Sequence, residues 1–469
     1  MAALGPYLAG ARSNHFQDQS LEGTTILYGG GHYDLRLALA RAGILPFFWL
    51  ACWMTFLWGK RILDSSGGVI ATFIFTMIPT VLAHSGLATT DIAAAATFTA
   101  AAYALLRLIQ SPSLQTGAWL GAAGGIMAAS KFSTLVFYPA SFIIALVVWV
   151  FFTRPPVRKV LQRFWRCLPW FAVAASVAII VVWAVYRFSF GKTAGIPFPV
   201  PFPELFSGIG AVARHNDRGH LSYFLGELRT GGWLLFFPVL LAVKLPLATL
   251  ALIALSFWKR AGVAGSWSLP VLLSIPVAIL VVAMTSRINI GLRHILPAFP
   301  FLAVIASAGA LWLVRQGREQ GWARWTAGLT LGWLTISSLA AHPDYLPYFN
   351  ALAGDHPERI VVDSDLDWGQ DIKRLGQRLN ELNAPSVTFT PTIAVSLAAH
   401  GFPPHEPSAV DTPSPGWNAV QLSEWKLYRM GLQMEQPDIR PWPDLVQSTE
   451  RVGRTILLYY VPPEPSPRH

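Results

Sequence analysis

Cysteine and charge are both scarce in this chain. Only two cysteines occur in 469 residues, Cys52 and Cys167, and neither belongs to a CxxC pair; that excludes a disulfide framework and a thiolate zinc site. Lys, Arg, Asp and Glu make up 13% of the residues against 53% hydrophobic, and a mean hydropathy of +0.44 excludes a soluble globule. The start of the chain lacks the basic stretch and long apolar core of a signal peptide. There is no solenoid period, and no pair of matching halves such as many transporters carry.

What is abundant is long apolar runs. About ten stretches reach the roughly 17–25 residues that a helix needs to cross a bilayer: 42–59, 67–84, 91–109, 115–131, 134–153, 168–188, 231–257, 268–285, 294–314 and 322–341. Lipid offers no hydrogen-bond partners, so each span must be helical. Pro79, Pro139, Pro246 and Pro297 fall inside such runs and predict kinks. The fold class expected is an all-α polytopic membrane bundle of about ten transmembrane helices, followed by a small C-terminal α/β domain outside the membrane.

The few cations sort by gap. Lys60 and Arg61, Arg107, Arg154, Arg158, Lys159, Arg163 and Arg166, Lys259 and Arg260, and Arg315, Arg318 and Arg324 occupy alternate gaps. The positive-inside rule makes these cytoplasmic. The other gaps are then external: 85–90, 132–133, 189–230, 286–293, and the tail from 342. The chain reads as a multi-pass protein of the plasma (inner) membrane with its C-terminal domain on the periplasmic side. The net charge of +10 is explained by loops facing anionic lipid and not by nucleic acid.

Three regions follow. Residues 1–41 form an external N-terminal remnant of a first loop, 42–341 the membrane bundle with its external loop 189–230, and 342–469 the external domain. An external 1–41 carrying Arg12, Arg36 and Arg41 would not cross unaided, so an upstream transmembrane helix is expected to be missing, through a truncated gene or a mis-called start. In the last region, 367–382 predicts a helix with Trp368, Ile372, Leu375, Leu379 and Leu382 on one stripe. Runs 359–362, 386–390 and 455–461 predict strands, the Pro-rich 402–416 a loop, and the final PPEPSPRH a frayed end.

Polar residues concentrate in the external gaps. Asp91 follows His84-Ser-Gly-Leu-Ala-Thr-Thr and opens a helix, where it either caps the amides or, with Thr89 or Thr90 capping instead, faces a cavity. Lys131 ends an apolar helix, as a snorkelling residue or as a cation for an anionic group. Loop 189–230 carries Arg214-His215-Asn216-Asp217-Arg218-Gly219-His220 and then Glu227, with Lys244 in the next helix. Cations beside aromatic residues suit a sugar phosphate, and a plainly solvated loop is the other reading. Arg287, Arg293 and His294, with Asn289 among them, crowd one short external turn against the positive-inside trend; this marks either a topology error or an anion site, and the consistent surrounding topology favours the anion site. Asp363, Asp365 and Asp367 form a DxDxD run that lacks the Gly and Glu of a calcium loop, so capping and solvated charge account for much of it. A divalent metal is permitted and not required.

The stretches LAHSGLATTDIAAA (82–95), ASKFSTLVFYP (129–139), RHNDRGHLSYFLGELRTGGWLLFFPVLLAVKLP (214–246), NIGLRHILPAFP (289–300), HPDYLPYFNALAG (342–354) and DSDLDWGQD (363–371) together resemble the C-type superfamily of membrane glycosyltransferases. The branch is that of glycosyltransferase family 39, whose members include protein O-mannosyltransferases and aminoarabinose transferases of lipid A. The resemblance implies transfer of a hexosyl or pentosyl group from a polyprenyl-phosphate-linked donor, by an inverting displacement, to a protein, lipid or glycan acceptor at the external face. It carries a catalytic role over to Asp91 and a phosphate-binding role to Lys131. It makes Arg214, His215, Asn216, His220 and Glu227 pocket residues. With them we group Arg287, Arg293 and His294 for the phosphate, and His84, Lys244 and Asn289 elsewhere in the pocket. Family members also carry an N-terminal helix and an acidic motif that supplies the main base. Here that segment is expected to be missing, with Asp34 the nearest remaining acid, so the chain as written is expected to be inactive or impaired. Two other readings stand beside the enzyme: a transporter or flippase of a lipid-linked anion, and a catalytically inactive family member.

Overall fold

The computed structural model describes residues 2–16, 18–258, 268–408, 412–435 and 440–463. Lys259, Arg260, part of the 402–416 stretch and most of the terminal PPEPSPRH lie outside the described residues.

Each of the ten apolar runs lies mostly on helix. Among the described residues, five helices are long and apolar enough to cross a membrane, or up to seven if each bent pair is one span. The expected ten is therefore not reached by that measure: Leu114–Ser130 and Ser268–Met284 are only 17 residues long. The first qualifying stretch, Tyr33–Ile62, runs across the boundary expected at residue 41.

The two bent pairs have a covalent cause. Ser65–Thr76 and Pro79–Ser85 meet at 72°, and Phe236–Lys244 and Leu247–Trp258 at 107°. Proline at the junction has no N–H to continue the ladder. Pro139, in contrast, sits within the continuous helix Thr134–Thr153. The carbonyls freed near Pro246 are taken up by Asn350, whose Nδ2 donates to Ala242 O and Leu245 O at 2.6 and 2.7 Å, while its backbone N–H donates to Val243 O. This is how a broken helix stays satisfied in an apolar setting.

Close packing uses small residues. Gly117, Gly121 and Gly125 repeat every fourth position along Leu114–Ser130. They face Trp170, Ala174 and Ala178 of helix Val157–Val185 so tightly that a Cβ on Gly121 would lie 2.4 Å from Ala174 O. Phe299–Gln316 is buried along nearly its whole length and forms the centre of the bundle.

Helix ends sort by charge. At one end Asp64 caps Ser65–Thr76 and pairs with Arg315, and Arg163 donates to the terminal carbonyls of Ile109 and Gln110. At the other end lie Asp91, Lys131 and Arg293. The loop 189–230 is more ordered than expected: a hairpin Phe190–Thr193/Ile196–Pro201, the helix Pro203–Arg218, and a second hairpin Ser222–Phe224/Glu227–Arg229.

The C-terminal region contains a five-stranded sheet in the order His405–Glu406, Val387–Thr388, Gly416–Gln421, Ile456–Val461, Glu450–Val452, parallel at the first two pairings and antiparallel at the last two. Ile372, Leu375 and Leu379 of helix Ile372–Glu381 pack on it with Phe389, Ile456 and Leu458. The strand expected at 359–362 does not form. Pro357–Arg359 is a 3₁₀ turn, and Val361 makes a single bridge to Phe224. The helix expected from 367 starts at Ile372, because Gly369 turns the chain with φ +72°.

Candidate functional site

Antiparallel neighbours Asp91–Gln110 and Leu114–Ser130 bring the start of one helix to the end of the other. The Lys131 ammonium donates to Asp91 Oδ1 at 2.6 Å and to the carbonyl of Arg293 at 3.3 Å. Asp91 is 2% exposed and Lys131 17%. Asp91 is not the N-cap; it is the first helical residue, and its Oδ2 accepts from Thr89 Oγ1 at 2.9 Å. His84 Nδ1 stands 3.9 Å from the same oxygen. With both oxygens engaged, Asp91 is built to hold Lys131 and is not presented as a free base.

Arg293 completes the cluster. Its Nε donates to Ile290 O, and its guanidinium lies 4.7 Å from the centroid of the Trp368 ring. The His84 ring meets Trp368 edge-on at 6.4 Å. The sequence places Trp368 on a helix stripe; it lies instead in the turn before that helix, against Arg293.

Behind Arg293 sits a second buried pair. Asp365, 2% exposed, accepts from Leu292 N–H with both oxygens, at 3.1 and 3.2 Å. Lys244 donates to the Asp365 carbonyl at 2.5 Å and to Leu346 O at 2.7 Å, with Phe349 under its ammonium. Lys244 is thus a strut between helix and C-terminal region rather than a pocket cation. Gly291 makes the approach possible: it has φ +91°, and a Cβ there would lie 2.6 Å from Asp365 Oδ2.

The remaining expected residues divide. Asn216 Oδ1 accepts from Ser286 Oγ and Arg287 N–H, and Arg287 donates to Asp217 O. These bonds dock helix Pro203–Arg218 onto the 286–293 turn, so Arg287 is a surface clamp and not a partner of Lys131. His220 N–H donates to Arg287 O, and its ring lies 5.5 Å from that of exposed His215. Burial lowers the His220 pKa, partly offset by Asp363. Asn289 Oδ1 accepts from Trp233 N–H at 2.8 Å. His294 is caged by Phe137 and Phe237, at 5.4 and 5.7 Å, with no polar partner for Nδ1. Arg214 is exposed. Glu227 is exposed too and pairs with Arg229 on its own strand, two residues on. Asp34, 78% exposed, pairs with Lys373.

Asp367 and Asp371 are spent on structure. Asp367 accepts from Gly369 N–H and Gln421 Nε2. Asp371 accepts from Arg454 N–H, Thr455 N–H and the Thr455 hydroxyl, and pairs with Arg374. Burial raises the Asp367 pKa to about 6. The carboxylates diverge, and among the described residues no group of three His, Cys, Asp or Glu side chains is placed to hold a metal.

Residues 44–163, which include Asp91 and Lys131, match the family described as dolichyl-phosphate-mannose-protein mannosyltransferase. Over that stretch the resemblance to family 39 glycosyltransferases of the C-type superfamily holds. Two solved structures of ArnT from Cupriavidus metallidurans are also similar. The one bound to undecaprenyl phosphate has 12% identity and a TM-score of 0.45. The apo one has 13% and 0.46, and each covers 94% of this chain and 86% of the other. No curated protein matches the sequence.

Proposed function

We propose that this chain is an integral-membrane glycosyltransferase. It takes a sugar from a polyprenyl-phosphate-linked donor at the external face of the plasma membrane and transfers it with inversion to a protein, lipid or glycan. The observation that carries the reading is that the Lys131 ammonium, held by Asp91, bonds the carbonyl of Arg293, whose guanidinium lies against Trp368, at the helix ends opposite the Arg315 and Arg163 contacts.

A polyprenyl chain lies among the helices and its phosphate at the headgroup level. Two cations suit that phosphate, and they stabilise most the charge that builds up as the sugar departs. Trp368 offers an aromatic face for the sugar. The domain division follows: 42–341 holds the lipid, while the region from 342 supplies Trp368 and, through Asp365, the position of Arg293. A transporter would hold its polar groups near the midplane on broken helices; here they gather at helix ends.

The test is protein-dependent release of undecaprenyl phosphate from an undecaprenyl-phosphate-linked sugar in membranes containing the full chain. Release that falls at least about tenfold in Lys131→Ala supports the reading. Membranes in which the wild-type chain neither binds undecaprenyl phosphate nor releases it overturn the reading.

A further inference from the structure

Two cavities adjoin where helix Gly321–Ala340 meets the C-terminal region. The wall of one, about 310 Å³, includes Leu247, Trp333, Ser337, Asp344, Phe349 and Arg454. The other, about 240 Å³, lies between Pro347, Asp355, Leu366, Arg451 and Arg454. Pro347 and Arg454 line both, so the two form one cleft with Arg454 shared by its halves. A water takes up ~30 Å³ of liquid, so either half admits a phosphate ester. The cleft shares no lining residue with the Lys131–Arg293 cluster.

An apolar stripe leads to this cleft. Trp325, Leu329, Trp333 and Ile336 of helix Gly321–Ala340 are all exposed and follow one another at helical spacing. Trp333 belongs both to the stripe and to the cleft, one turn before Ser337. An exposed apolar stripe on a membrane helix meets acyl chains, and tryptophan favours the level of the headgroups.

The cation is held ready by its backbone. Arg454 lies in the turn between strands Glu450–Val452 and Ile456–Val461. Buried Asp371 accepts from Arg454 N–H, Thr455 N–H and the Thr455 hydroxyl. Gly453, at φ +60°, leaves room for that carboxylate: a Cβ there would lie 2.1 Å from Asp371 Oδ1. The Arg454 carbonyl accepts from Nε and Nη2 of Arg451. The residue is thus fixed at its N–H and its carbonyl, while among the described residues its guanidinium meets no acid. Of the acids lining the cleft, Asp344 is paired with Arg374 at 2.7 Å, which leaves exposed Asp355 against Arg451 and Arg454. The balance is cationic, and a guanidinium matches phosphate oxygens two at a time.

We propose that this cleft binds the phosphate headgroup of an anionic glycerophospholipid, with the acyl chains along the Trp325–Ile336 stripe. It is a second lipid-phosphate site, and it seats the C-terminal region on the membrane surface. The inference rests on helix Gly321–Ala340 facing lipid and not on the sugar donor.

The test places the full chain in nanodiscs containing phosphatidylglycerol, or phosphatidylcholine, with a photoreactive diazirine on the acyl chain next to the headgroup. Adducts on residues 333–351 are counted by mass spectrometry against those on Ile143 and Val147, exposed on another helix. Phosphatidylglycerol is expected to label 333–351 at least about fivefold more than phosphatidylcholine, the scale of one arginine acting on an anionic lipid. Arg454→Gln is expected to remove most of that preference, and Arg454→Lys to keep about half of it. Equal labelling by the two lipids in the wild type overturns the inference, and that comparison needs no variant to fold. A preference that survives intact in Arg454→Gln overturns it as well. Excess soluble glycerol phosphate is expected to leave the labelling in place, because it lacks the chains; if it abolishes the labelling, a free phosphate ester is the occupant and the lipid assignment fails.

Discussion

The Arg293 guanidinium lies 4.7 Å from the centroid of the Trp368 ring, across 75 residues of sequence. This contact joins the turn that opens the central helix to the C-terminal region. A cation over an indole face is worth about 0.5–2 kcal/mol. It also fixes the guanidinium's direction. Trp368→Ala is therefore expected to weaken undecaprenyl phosphate binding several-fold in nanodiscs, and Trp368→Phe to stay within about threefold. Equal binding by Trp368→Ala and the wild type would remove the ring from the site.

Asp91 and Lys131 form a buried pair at 2.6 Å. Removing one partner of such a pair leaves an uncompensated charge and costs about 3–5 kcal/mol, whereas removing both costs less than the sum. Asp91→Asn and Lys131→Ala are each expected to lower turnover at least about tenfold. In chemical unfolding the double variant Asp91→Asn/Lys131→Met is expected to recover at least about 1 kcal/mol relative to additivity. Strict additivity would mean that the two side chains do not support each other.

Part of this site was legible in the sequence. Lys131, Asp91 and Arg293 stood out because charge is expensive beside lipid, and topology placed all three at one face. The parts played by Trp368 and Asp365 were not legible, because they rest on contacts with Arg293 and Leu292, about 75 positions away. The available signal was three carboxylates and an indole within six residues, and it reads equally as capping. Lys244 and Glu227 erred in opposite directions. The first is fully enclosed by Asp365, Leu346 and Phe349, and the second pairs with Arg229 two residues along its own strand. Helix existence followed from apolar length, whereas the strand expected at 359–362 gave way to the 3₁₀ turn at Pro357.

Gly291 lets Asp365 reach Leu292. Gly291→Ala would place its Cβ 2.6 Å from Asp365 Oδ2 at a φ of +91°, for a cost of about 1–3 kcal/mol. We expect both lower stability and weaker undecaprenyl phosphate binding, because the turn that carries Arg293 shifts. Gly226→Ala is the control. It shares a positive φ, but its Cβ meets nothing within 4 Å, so stability alone should fall.

Glu424 gives the C-terminal region a pH dependence. Burial lifts its carboxyl from 4.5 to about 7. A raised folded-state pKa means the folded protein holds the proton more tightly. The stability it contributes is present in full below about 4.5 and is lost as pH rises through about 7. Glu424→Gln is expected to flatten this fall by roughly 1–3 kcal/mol between pH 5 and 8. The measurement is denaturant unfolding at both pH values, and an unchanged slope would show that Glu424 is not desolvated.

The most direct measurement of the central claim is the affinity of undecaprenyl phosphate for the wild-type chain, Lys131→Ala and Arg293→Ala in nanodiscs of one composition. Two cations converging on one phosphate predict that each substitution weakens binding at least about tenfold, or about 1.4 kcal/mol. Three indistinguishable affinities would contradict a shared phosphate site at these residues.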